Sequence, residues 1–139
     1  MSRTYNQNLM SKALREVLLG DRTVWALFDS GAGRSYIARS VLPREAVEGR
    51  DPVSRAVGLG GREHSIQEWR TIIVEADGCP FSLKAYVLDE IGIEEGRPIE
   101  LIIGAPVLEE WEIGLRPEGR RLVPDLSRLR EGHYVDFAS

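Results

Sequence analysis

A small, mostly-β barrel or sandwich is the fold class this sequence predicts, on three observations. Short β-rich runs recur at close spacing, turn residues punctuate them, and only Pro106 to Trp111 reads as a short helix, with Pro106 in its first turn. The 139 residues suit one domain with a modest core and are too few for a large two-lobed enzyme.

The elements follow in order. The first dozen residues are polar and expected to be loosely held. Val17-Leu18-Leu19 forms an apolar run, Gly20-Asp21 supplies a turn, and Thr23 to Phe28 reads as the second strand of a hairpin ending at Asp29. Asp29-Ser30-Gly31-Ala32-Gly33-Arg34-Ser35 is a tight loop, since two glycines permit backbone angles that other residues resist. Tyr36 to Leu42 is a short mixed segment stopped by Pro43, and Pro43 to Asp51 has the charge and Gly content of a surface connection. Val53–Val57 and His64–Trp69 flank Gly58-Leu59-Gly60-Gly61 as a hairpin with a flexible tip. Thr71–Ala76 and Phe81–Leu88 are joined through Asp77-Gly78, a strong hairpin signal. Ile91 to Pro98 reads as an exposed connection, Ile99 to Ile103 as a buried strand ending at Gly104, and Arg120 to Val123 as the last clear strand after the Arg116–Gly119 turn.

Composition narrows the function classes. Eighteen basic residues, 16 of them Arg, against 22 acidic ones leave a net charge of -4 and a pI near 5.3, which excludes a generally basic nucleic-acid binder. The single cysteine, Cys79, cannot form an intramolecular disulfide or a Cys-based zinc site, and two histidines, His64 and His133, are too few for a metal cluster. No apolar run approaches the roughly 20 residues that span a bilayer, and the N-terminus lacks the apolar centre of a signal peptide, so a cytoplasmic location is expected.

Asp29 is the residue to weigh. It ends an apolar strand, where burial disfavours an unpartnered charge. Ser30 and the backbone of Gly31 can orient its carboxylate. Asp-Ser-Gly is also ordinary turn chemistry, so the triplet gains weight only from its surroundings. The stretch Ala26-Leu27-Phe28-Asp29-Ser30-Gly31-Ala32, with Ser35 following, resembles the catalytic loop of the retroviral-type (retropepsin-like) aspartic proteases. Gly58 to Gly61 resembles their substrate-closing flap, Leu101-Ile102-Ile103-Gly104 with the following short helix resembles their late apolar-Gly motif, and the first hairpin resembles their opening strands.

The resemblance covers about residues 15 to 124. It implies a closed, barrel-like acid-protease fold with one short C-terminal helix, between a flexible segment 1–14 and a tail 125–139 that forms a dimer strand, a linker or a piece removed by self-cleavage. One chain holds a single such triplet, whereas the chemistry needs two carboxylates about 3 Å apart sharing a proton. The implied enzyme is thus a symmetric homodimeric endopeptidase with Asp29 from each copy on the axis, acting on a peptide or protein without metal or cofactor. Ser30 would support the pair across the axis, Gly31, Ala32 and Gly33 would contact substrate, and Gly58, Leu59, Gly60 and Gly61 would close over it. The alternative is a non-catalytic dimerisation or peptide-binding module of the same fold.

Two departures stand out. Gly33 and Arg34 occupy places where many viral members carry acidic residues, so Arg34 either favours an acidic substrate or forms a surface ion pair. Ala105-Pro106 follows Gly104 where an Arg or Asn is common. Other chemistries lack their patterns. The loop after Asp29 has no Lys-Ser/Thr ending for phosphate, and no Gly-x-Ser-x-Gly supports a Ser-His-Asp hydrolase. Cys79 reads as a turn or core residue, His64 as an exposed strand residue, and Trp69 and Trp111 as core or interface aromatics.

Overall fold

The computed structural model describes residues 12–57 and 63–131, with side chains described for 12–51 and 68–131. Its strands are β1 (Lys12–Leu19), β2 (Arg22–Asp29), β3 (Tyr36–Ala38), β4 (Val47–Val57), β5 (Glu63–Ala76), β6 (Cys79–Leu88), β7 (Gly92–Glu94), β8 (Arg97–Ile99), β9 (Leu101–Gly104), β10 (Gly114–Glu118) and β11 (Arg121–Asp125). A 3-10 turn (Arg39–Val41) follows β3, and α1 (Ala105–Glu110) follows β9.

Alternation in β1 sends Ala13, Val17 and Leu19 inward, while the last four residues of β2 are buried without interruption. An uninterrupted apolar run suits a strand covered on both faces. Within the sheet β2 lies between β1, its antiparallel hairpin partner, and β9, which runs parallel to it. The order continues through β3 and β6 to β5, and β5 returns to β1 through Leu18 opposite Glu75 and Leu19 opposite Val74. Six strands therefore close into a barrel, which decides between barrel and sandwich. β4 hangs on the outer side of β5. Phe28, Leu27, Ile37, Ile99, Leu101 and Ile103 are the largest of the fully buried side chains, each worth about 1.5–3 kcal/mol of transfer from water.

Most expected elements are met, and the differences have physical reasons; Arg116 to Glu118, expected as a turn, lie in β10 because they pair with β11, and residues 127–131 of the expected tail are helical. β1 begins at Lys12, because Ala13 and its neighbours pair with β2 up to Asp29. β4 begins at Val47 inside the expected surface connection, since its backbone pairs with residues 68–71 of β5 although Val47-Glu48-Gly49-Arg50 carries no apolar alternation. The two runs His64–Trp69 and Thr71–Ala76 form one continuous strand of 14 residues. The expected connection Ile91–Pro98 holds a small ribbon, β7 with β8, turned by Glu95 and Gly96 at positive φ. The Asp77-Gly78 turn is as expected, both residues having positive φ.

Cys79 is buried at the start of β6, and Trp111 is half-buried beside Phe81 with its indole N–H donated to the Ser82 carbonyl. Past β11, Leu126 and Leu129 are both 4% exposed and join the core, and residues 127–131 are helical. A groove of about 380 Å³ near the β1–β2 turn is lined by Leu18, Pro43, Val47, Ile73 and Pro80 among others, and Asp29 takes no part in it. No helix among the described residues is long and apolar enough to cross a membrane.

Candidate active site

β2 delivers Asp29 to one end of the barrel, directly beside Gly104 at the end of the parallel strand β9. The residue is only 9% exposed. The Gly31 N–H donates to Asp29 Oδ1 at 2.9 Å, and the Ala32 N–H donates to the Asp29 carbonyl at 3.2 Å. This is the Asx-turn geometry that the Asp-Ser-Gly triplet favours, and it fixes the carboxylate's direction at the strand end. Of the following loop residues, Ser30, Gly31 and Gly33 are exposed and Ala32 is half-buried.

The loop is locked from behind by β9. Ser35, buried at the loop's far end, accepts a hydrogen bond on Oγ from the Gly104 N–H at 2.9 Å, and the Ala105 N–H donates to the Ala32 carbonyl at 2.8 Å. A Cβ on Gly104 would lie 2.4 Å from the Arg34 carbonyl oxygen and 2.8 Å from that of Ala32. Glycine is required there by the approach of two backbones. The loop continues into strand β3, which differs from the strand-to-helix setting of a phosphate loop.

One flank holds a cluster whose composition the sequence reading missed. Trp69 of β5 lies over Gly49 of β4, its register partner, where a Cβ would sit 2.0 Å from the indole. Its Nε1 donates to Asp51 at 3.1 Å, the Tyr86 hydroxyl donates to the other oxygen of Asp51, and Lys84 Nζ lies 3.6 Å from that same oxygen. The Tyr86 hydrogen bond is the main reason that the Asp51 carboxyl titrates below its ordinary range, with Trp69 and Lys84 contributing. Tyr86 also donates its backbone N–H to the Ser35 carbonyl at 2.9 Å. The glycine paired with a tryptophan was the available signal, but the register that pairs them is tertiary.

Beside this cluster, Glu68 receives Arg70 at 2.5 Å and Arg39 at 3.1 Å, and Arg39 reaches Asp89 at 2.9 Å. Burial pushes the Glu68 carboxyl up, but the two guanidinium bonds outweigh it and hold the group below the usual glutamate range. Of the remaining expected site residues, Gly58, Leu59, Gly60 and Gly61 lie outside the described residues. Among the described residues no cluster of His, Cys, Asp and Glu could hold a metal ion.

The arrangement presents an oriented, largely buried carboxylate, Asp29, at the end of β2 and beside the end of β9. No protein-family model and no curated protein sequence matches the chain. Its fold matches the crystal structure of the retroviral protease-like domain of Ddi1 from Leishmania major with a TM-score of 0.54 and 21% identity, over 83% of this chain and 89% of that one. The EIAV protease complexed with the inhibitor HBY-793 is also similar, at 20% identity and a TM-score of 0.49, over 79% of this chain and 97% of that one. The closed six-stranded barrel and the match to the Ddi1 domain together establish that this chain has a retropepsin-like fold.

Proposed function

We propose that the protein is an aspartic endopeptidase that works as a two-fold homodimer, with Asp29 of each copy meeting on the axis. The observation that carries this reading is the seat of Asp29: a strand-end carboxylate aimed by the Gly31 N–H and backed by Gly104, in a retropepsin-like fold. A single such carboxylate per chain makes the second copy a chemical requirement. At the short separation on the axis the two acids hold one proton between them and titrate as a pair.

In the reaction, the ionised member takes a proton from a water, whose oxygen adds to the scissile carbonyl carbon. The protonated member gives its proton to the carbonyl oxygen. Collapse of the resulting diol breaks the C–N bond as a proton passes to the amine nitrogen. Ser30 supports the pair across the axis, Gly31, Ala32 and Gly33 present backbone to the peptide, and Gly58, Leu59, Gly60 and Gly61 take the flap's role.

The test is cleavage of a mixed peptide library between about pH 4 and 7 by the wild type and by Asp29→Asn, with a loss of at least about 100-fold expected in the variant. Equal cleavage by the two proteins would overturn the reading. Peptide binding by both, with cleavage by neither, would mark a binding module instead.

A further inference from the structure

We propose that a notch at the end of the barrel remote from Asp29 docks a partner protein through a short apolar segment that carries Lys or Arg. The inference does not rest on the endopeptidase reading, because it concerns a second surface of the same chain.

Two strands share one edge of β5. β4 pairs with it as far as Val47 opposite Thr71, and β1 takes over with Leu19 opposite Val74, so Ile72 and Ile73 lie between the two pairings. The groove of about 380 Å³ is this notch. Alternation turns Ile72 and Val74 inward, and Thr71, Ile73 and Glu75 outward along it. Directly opposed residues share a face, so Val47 stands beside Thr71 and Leu18 beside Glu75. Among the described residues the large apolar side chains left exposed are Leu18, Val47, Ile73 and Ile93. Three of these four meet in the notch, Val47 and Ile73 at 63% and 64% exposure. Exposed apolar side chains gathered in one concavity, rather than scattered singly, mark a contact surface.

The notch carries charge of one sign. Glu45 and Glu75 line it, and among the described residues no Lys, Arg or His does. Glu45 Oε1 lies 3.9 Å from the point where a Cβ on Gly20 would sit, which brings this carboxylate to the β1–β2 turn. Among the described residues neither glutamate has a cation within ion-pair distance. Arg15 is paired with Asp77, and Arg22 donates to the Ser40 carbonyl. An apolar surface bearing two carboxylates is complementary to an apolar side chain next to a cation. A folded partner needs about 800 Å² of contact on its side. A notch of about 380 Å³ suits a short stretch of chain instead. On β1, Leu19 at the notch and Lys12 opposite Asp29 are seven residues apart, which separates the notch from Asp29 by about 23 Å. A segment docked there leaves Asp29 uncovered.

The probe is a short, end-blocked, fluorescently labelled peptide of alternating Leu and Arg, titrated into the full chain and followed by anisotropy. Two matched peptides carry Ser in place of Leu or Glu in place of Arg. The Leu-Arg peptide is expected to bind at least about tenfold more tightly than either of the others. Val47→Thr combined with Ile73→Thr keeps β-branched residues at two exposed strand positions, so the fold is retained while binding weakens by about tenfold. Glu45→Lys combined with Glu75→Lys should make the Leu-Glu peptide the tighter binder. No binding of the Leu-Arg peptide up to about 1 mM, equal binding of all three peptides, or affinities that neither pair of substitutions changes would overturn the inference. Sedimentation of the wild type beside the Val47→Thr, Ile73→Thr protein tests the other occupant. An assembly that loses mass on this double substitution would assign the notch to a second copy of the chain, and would overturn the inference as well.

Discussion

Ser35 and Gly104 make the contact on which the seat of Asp29 depends. Ser35→Ala leaves the buried Gly104 N–H without its acceptor and is expected to destabilise the protein by about 1–3 kcal/mol in urea denaturation. Gly104→Ala places a methyl group against the Arg34 and Ala32 carbonyl oxygens and has to push the Asp29 loop away from β9, at a cost of about 1–3 kcal/mol. It should also lower cleavage more than an equally destabilising change elsewhere in the core, because the displaced loop carries Asp29. A Gly104→Ala protein with unchanged stability and cleavage would contradict this account. Asp29, Ser30 and Gly31 were legible in the sequence because a strand end, an acid and a glycine lie next to one another. The Ser35 to Gly104 bond was not, since 69 residues separate its partners and only the fold brings them together.

Among the elements, the base of the β4–β5 hairpin is held by polar contacts. Asp51 and Glu68 both titrate below their ordinary ranges, so each adds stability that is complete above an unfolded carboxyl value of about 4. That contribution fades as pH falls through the lower, folded values. Asp51→Asn and Glu68→Gln should each flatten the acid limb of stability against pH below about pH 4, measured by denaturation at a series of pH values, and leave its slope between pH 5 and 7 unchanged. A wild-type acid limb retained in both variants would show that the two carboxylates are not the groups responsible. Gly49→Ala should displace the Trp69 indole and lower Tm, read by thermal melting. Alternation and turn chemistry made most strands readable. β4 was extended beyond expectation because cross-strand pairing, not apolar alternation, recruits Val47 to Arg50, and β7–β8 was hidden because its turn uses Glu95 in a conformation that glutamate rarely adopts.

For the whole molecule, the proposed sharing of one site by two copies makes the assembly itself testable. If each active dimer needs Asp29 from both copies, mixing equal amounts of wild type and Asp29→Asn and allowing exchange leaves about one quarter of the dimers with two intact acids. Activity per wild-type chain should then fall to about half of its unmixed value, while two independent sites would leave it unchanged. Barrel closure was the least legible feature at this scale, because the pairing of β1 with β5 and of β2 with β9 joins distant stretches that no local pattern connects. That second pairing also orders events in time. The β1–β2 and β5–β6 hairpins each close through a short turn, but Asp29 meets Gly104 only across a 75-residue loop, counted from 29 to 104. Long-range parallel closure is slow relative to hairpin formation. A growing chain thus builds much of its scaffold before its carboxylate acquires a seat, and a chain interrupted before β9 carries the Asp29 triplet without the strand that backs it.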